Sequence, residues 1–397
     1  MASPIRSSEK IMIPTPEEFA TTVASRPYPT QLRKGDADLT WLHAKPGDGV
    51  WGSWGVKATP SRRGLTLMDC EAAEGTPVAE VGPASVAPRG AGSEPSLLPR
   101  EWDINDKWDV WAENLTSLYE EGCSRQWSAT QDIDWHKLEM LPPDLERALC
   151  QYNTFLTMGE YLATDVLAPW LPQFNTYFHE IKLFIAAQAN DEARHTEVFR
   201  KRILANGGGL GMTINLGNAL VGMGDAAQSQ AEAQGLGKAK FHENPLFSTW
   251  NHVSYAIHVV FEGAILSMFR FGEFLGKTDV DKQIFRMVMQ DEARHVAYGS
   301  MHLKYLIEHA PDRDAKIKEI HGLATQAEMF FLELFFLHPA TVESCAVLAG
   351  NGVDGIGEGL EIYKALYRKM RAEYLSRIAR AGLDRSELCM FPAELPF

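Results

Sequence analysis

The pentapeptide Asp-Glu-Ala-Arg-His occurs twice in the chain, at residues 191–195 and 291–295, and a lone glutamate in an apolar run precedes each copy. The first is Glu160 in TFLTMGEYLATDV, 32 residues before Glu192. The second is Glu262 in AIHVVFEGAILSMF, 30 residues before Glu292. Glu192 and His195 are three residues apart, as are Glu292 and His295, so each pair shares one face of a helix. In the second unit the turn at Gly276 to Thr278 lies midway between its two glutamates, and a helical hairpin closed there brings both to one height. In the first unit the break at Pro169 to Pro172 is off-centre, which calls for a bent helix or a longer loop.

Folded this way, four helices each turn a carboxylate inward and two add an imidazole. Bare carboxylates in an apolar core cost several kcal/mol apiece. Two divalent cations remove that cost, because four negative charges and two neutral imidazoles balance them. An oxygen-rich set with one histidine per ion suits iron or manganese rather than structural zinc. Glu160, Glu192, His195, Glu262, Glu292 and His295 are therefore the expected ligands. A metal-bound histidine usually gives its second nitrogen to a carboxylate. In a two-fold arrangement Asp191 takes His295 and Asp291 takes His195, with Arg194 and Arg294 balancing the aspartates. His258, four residues before Glu262, is a further candidate, although a hydrogen-bonded core histidine is the preferred reading there. The competing reading of the whole constellation is a structural salt-bridge network.

From Trp102 onward the apolar spacing is helical. It predicts helices at roughly 104–126, 143–168, 174–205, 247–275, 279–309, 312–336 and 358–381, a shorter one near 340–349, and no sheet of any size. The fold class is all-α, with helices continuing past the repeat. Residues 1–100 are rich in Pro, Gly and Ser and read as an irregular N-terminal arm or linker, ordered or mobile, ahead of a helical domain at 101–397. Within it GVWGSWGVK, residues 49–57, suggests a short hairpin. The Gly-rich run at 207–224 lacks Gly-Lys-Ser/Thr and a preceding strand, so it reads as a connection and not a nucleotide loop.

The net charge of −14, without a basic cluster, argues against a nucleic-acid partner. Five cysteines without a C-x-x-C offer neither a zinc ribbon nor a dithiol motif. No signal-peptide h-region is evident, and no stretch reaches the ~20 uninterrupted apolar residues of a membrane span. A reducing cytoplasm is the expected compartment.

At the repeat the chain resembles the ferritin-like non-haem di-iron oxygenase superfamily, over roughly residues 105 to 310. GEYLATDV followed by DEARH is similar to the hydroxylase subunits of bacterial multicomponent monooxygenases. The paired layout also resembles p-aminobenzoate N-oxygenases, acyl carrier protein desaturases and the magnesium-protoporphyrin ester cyclase. The resemblance implies a ferritin-like four-helix bundle core holding two iron ions, with manganese an alternative at one site. Glu160, Glu192 and His195 would hold one ion and Glu262, Glu292 and His295 the other, Glu192 and Glu292 bridging. It also implies O₂ as co-substrate, a small organic substrate that is hydroxylated or N-oxygenated, and a homodimer. No flavin, nicotinamide or iron–sulfur motif is present, so electrons are expected from a separate reductase or ferredoxin. Departures narrow the field. Phe199 stands where ribonucleotide reductases carry a radical tyrosine, Leu266 where the multicomponent enzymes carry threonine, and Val288 where N-oxygenases add a third histidine. The alternatives are an acyl-chain desaturase or, in a different class, a ferritin- or rubrerythrin-like iron-oxidising or storage protein.

Overall fold

The structure is a computed structural model that describes residues 14–43, 55–62, 64–74, 105–175, 178–209, 211, 245–270 and 275–397. Most of the Gly-rich run, most of the expected hairpin at 49–57 and the Pro-rich stretch from 75 to 100 lie outside the described residues. What is described is mostly helical and contains no strand, only an isolated bridge between Ser61 and Gly64.

Four long helices carry the repeat. Helix α5 (Pro143–Leu167) starts with Pro143 in its first turn, where a missing N–H costs nothing, and with Asp144 and Glu146 against the helix dipole. Pro169 follows its end, and the chain tightens into a 3₁₀ turn at Ala168–Gln173 before α6 (Glu180–Ala205) begins. This is the longer loop that the off-centre break required. The expected start of α6 at 174 therefore moves to 180. Helix α7 (Trp250–Phe269) is capped by Thr249, whose side chain accepts from the His252 N–H. Its middle, Tyr255–Phe261, is wound as π-helix immediately before Glu262. Helix α8 (Asp279–His309) opens on a capping box in which Thr278 and Asp281 satisfy each other's backbone N–H.

Helix α5 packs along α6, α7 along α8, and α6 meets α8 across the centre. Helix α4 (Leu115–Ser124) lies over α6. The expected helix at 104–126 is shorter than its pattern suggested, because a 3₁₀ turn at Lys107–Asp109 breaks it ahead of Asn114. Beyond the repeat, α9 (Arg313–Phe336) packs against α7, α10 (Pro339–Ala349) against α5, and α11 (Ile356–Arg380) against α7 and α10. Helix α7 is long and apolar enough to cross a membrane, yet 83% of its apolar window is buried inside the protein. Neighbours on all sides explain a helix that is apolar all round. Close approach of α7 to α8 depends on Gly299, where an added Cβ would lie 2.4 Å from the His258 Cβ.

The N-terminal arm is not wholly irregular. It contains α1 (Pro16–Ala24), α2 (Pro27–Arg33) and α3 (Leu67–Glu74). Thr15 and Glu18 form a capping box around Pro16, so the arm's prolines start helices as well as break them. Arg26 pairs with Glu333, and the Tyr28 hydroxyl and Trp41 indole N–H both donate to Glu343 on α10. These contacts fasten residues 14–43 to the helical body.

Candidate metal centre

Between α5, α6, α7 and α8 the six expected ligands converge, and all are buried. His195 Nδ1 lies 3.5 Å from Glu160 Oε2, 3.7 Å from Glu192 Oε2 and 3.2 Å from Glu292 Oε1. His295 Nδ1 lies 3.1 Å from Glu192 Oε1, 3.8 Å from Glu262 Oε1 and 3.5 Å from Glu292 Oε2. Glu192 and Glu292 thus each turn one oxygen to one imidazole and the other oxygen to the second. Two ligand groups with atoms close enough to share an ion result: Glu160, Glu192, His195 and Glu292, and Glu192, Glu262 and His295.

The outer ring determines which way the imidazoles point. His195 Nε2 donates to Asp291 Oδ2 at 3.2 Å, and His295 Nε2 to Asp191 Oδ2 at 3.4 Å. Each histidine on one long helix therefore pairs with the aspartate of the other. Arg194 donates to Asp191 and, at 2.8 Å, to Asp291. Arg294 donates to Asp191 at 2.9 Å and to Asp291 at 2.6 Å. With Nε2 committed outward, Nδ1 is the nitrogen left facing the interior, and once deprotonated it would offer its lone pair to an ion.

Two residues of the ring carried no signal in the repeat. Trp127, in the segment after α4, donates its indole N–H to Asp291 Oδ2 at 2.7 Å. Its ring stacks near His195 with centroids 6.4 Å apart, and the Arg194 guanidinium lies 4.8 Å from its centre. Gln126 donates to Asp191 at 3.2 Å and accepts from Arg194 at 2.6 Å. Gln126 ends the helix predicted at 104–126 and Trp127 follows it, and only the fold brings them to the site.

His258 does not join either ligand group. Its Nδ1 meets Ser254 Oγ at 3.1 Å and its Nε2 meets Gln188 Oε1 at 3.0 Å, as a hydrogen-bonded core histidine would. Burial holds it well below the ordinary histidine range, and so neutral. Phe199 is packed between Phe269 and Phe285, and Val288 is fully buried.

Without an ion the electrostatics are unbalanced. Among the described residues, Glu160, Glu192, Glu262, Glu292, Asp191 and Asp291 face the guanidiniums of Arg194 and Arg294 as fixed cations, so full ionisation of the six would leave four negative charges. Burial first, then the neighbouring glutamates, pushes Glu160 and Glu262 well above the usual carboxylate range. Burial works to deprotonate His195 and His295. The aspartate each pairs with and the surrounding glutamates outweigh it and hold both imidazoles well above their usual range. The same pairing drives Asp291 below its normal value despite burial.

Glu192 Oε2, Glu262 Oε2, Glu292 Oε2, His195 Nδ1 and His295 Nδ1 are buried without a hydrogen-bond partner among the described residues. Each such acceptor costs about 1–3 kcal/mol if nothing fills the space. Two groups of these buried side chains could hold a metal ion, and two divalent ions would balance the charge of the four glutamates. Neither a protein-family model nor any curated protein sequence matches this chain.

Proposed function

We propose that the chain is an O₂-activating di-iron oxygenase with a ferritin-like bundle core, which hydroxylates or N-oxygenates a small organic substrate with electrons from a separate reductase. The observation that carries the reading is the divided reach of Glu192 and Glu292, each offering one oxygen to either side of the centre. A pair of ions a few ångströms apart is what such carboxylates are suited to bridge. Carboxylate-rich sets with one imidazole per ion favour iron over zinc or copper. A pair of ferrous ions in this site would supply two electrons to O₂ and the oxidising power for the substrate.

The chain's own residues do the rest. Asp191 and Asp291 fix the imidazole tautomers, and Arg194 and Arg294 hold those aspartates in place. Apolar packing by Phe199, Phe269, Val288 and Leu266 keeps water from the centre. The acidic surface, net −14, suits a donor protein with a basic face.

Metal analysis, combined with the optical spectrum of the reduced protein after exposure to O₂, tests the reading. Two irons per chain and an oxygen-dependent band are expected. A metal content near zero, or no such band, would overturn it. Gel filtration separates the storage-protein alternative, since a shell-sized particle contradicts an oxygenase and a dimer fits it.

A further inference from the structure

The two halves of the centre are alike in their ligands but not in what holds those ligands. On α6, four residues before Glu192, Gln188 donates its amide to Glu262 Oε1 at 2.9 Å, with Glu192 Oε1 a weaker 3.5 Å away. Its carbonyl accepts from His258 Nε2 at 3.0 Å, and Ser254 Oγ meets His258 Nδ1 at 3.1 Å. All three side chains are fully buried. The direction of the chain is settled by its members. The Ser254 hydroxyl donates to Nδ1, the Nε2 hydrogen donates to the Gln188 carbonyl, and the amide nitrogen is left to face the carboxylate. The reverse amide orientation would set the Gln188 oxygen against a Glu262 oxygen. His258 is itself fixed, with the Tyr298 ring edge-on at 5.1 Å and the Cβ-less Gly299 against its backbone.

The other half has none of this. Val288 stands on α8 where Gln188 stands on α6, and Leu156 stands on α5 where His258 stands on α7. Both are apolar and buried. Among the described residues the carboxylate of Glu160 has no amide or hydroxyl donor. It lies 3.5 Å from His195 Nδ1, the nitrogen that an ion would take. The sequence repeat is broken at both members of one hydrogen-bonded pair and in the same half.

We propose that Gln188 and His258 are positioning residues that pin Glu262, so that the ion on the Glu160–His195 side is the exchangeable one and Glu160 is the carboxylate that moves when a coordination position opens. The brace holds Glu262 Oε1, which lies 3.8 Å from His295 Nδ1, and leaves Oε2 buried without a hydrogen-bond partner. An unbraced one changes its binding mode with nothing to break but its own bond to the ion. This inference rests on the reading that the centre holds two metal ions.

The test is the rate at which a chelator removes Co(II) from the Co(II)-loaded full-length protein, followed by the visible absorption of the bound ion. Loss in two phases is expected, and the slow phase should be the one that Glu262→Ala removes, the fast phase the one that Glu160→Ala removes. Gln188→Leu should accelerate the slow phase by about 10–100-fold, the usual effect of removing a group that orients a metal ligand. The fast phase should change by less than about twofold. His258→Phe should act in the same direction, and His258→Gln, whose amide nitrogen falls where Nε2 lies, should restore the slow phase. A merely structural role would move both phases together and would not respond to that rescue. If Gln188→Leu does not fold, the His258 pair reads the same brace from one bond further out. Equal acceleration of both phases, no change in the slow phase, or a slow phase belonging to Glu160 would overturn the inference while leaving the metal reading intact. Failure of the unaltered protein to take up cobalt would overturn the metal reading and this inference with it.

Discussion

His195 on α6 and Asp291 on α8 are joined Nε2 to Oδ2 across 3.2 Å, and the mirror pair, His295 with Asp191, is joined across 3.4 Å. The aspartates that orient the imidazoles are thus each supplied by the opposite copy of the pentapeptide. Neither copy can assemble a competent histidine alone.

Asp291→Asn keeps the shape but offers Nε2 either a weaker acceptor or an opposing N–H. Metal affinity is expected to fall about 10–100-fold with secondary structure retained. Isothermal titration with Co(II) and circular dichroism check this together. An affinity within about twofold of the unaltered protein would contradict the role given to Asp291.

Metal loading should depend on pH in a direction opposite to the stability of the metal-free protein. His195 and His295 are held well above the ordinary imidazole value of 6.5 when no ion is present. Their raised affinity for protons stabilises the metal-free fold below about pH 6.5, and that contribution is lost as pH climbs through the folded-state values. Ions compete with the same protons, so apparent affinity should rise over the same interval and protons should be released on binding. Thermal melts of metal-free protein and titrations at several pH values check the two slopes. Parallel slopes would contradict the assignment.

Docking of the N-terminal arm should weaken toward alkaline pH. Burial raises Glu343 to about 7, even though Trp41 and Tyr28 donate to it. Released from that burial, the group titrates near its ordinary value of 4.5, so docking takes up a proton between the two values. Docking is therefore strongest at the acid end of that window and loses this contribution as pH rises to about 7. Proteolysis of residues 14–43 is expected to speed up across it, and Glu343→Gln to flatten the dependence.

Glu328 and Arg385 are fully buried and joined by two hydrogen bonds of 2.7 and 2.8 Å, and Glu328 also accepts from Tyr374 and the Met390 N–H. Arg385→Ala strands a buried carboxylate and should cost about 3–5 kcal/mol. Replacing the pair together by apolar residues should cost less. Denaturant unfolding of the single and double variants measures the difference.

Much of this was legible from the sequence, because the ligands repeat at helical spacing and the helix boundaries fall at Pro, Gly and capping residues. The crossed pairing of histidines and aspartates followed from two-fold reasoning alone. Other parts were hidden for physical reasons. Thr15-Pro16-Glu17-Glu18 is a helix start, but it was masked by the arm's Pro-rich composition. Trp127 and Gln126 reach the centre from a loop, where neighbours in space are not neighbours in any period. Gln188 lies four residues before Glu192 and so on the same helix face, but its hydrogen bond to Glu262 depends on how α6 and α7 meet.

The ring of Arg194, Arg294, Asp191 and Asp291 has a consequence for how ions enter. Each guanidinium grips both carboxylates, so the four side chains tie α6 to α8 like a clasp that needs nothing inside it to stay shut. If the centre holds two ions as proposed, the spacing of the two histidines is set by this clasp, and loading would be the filling of a prepared cradle rather than the folding of one.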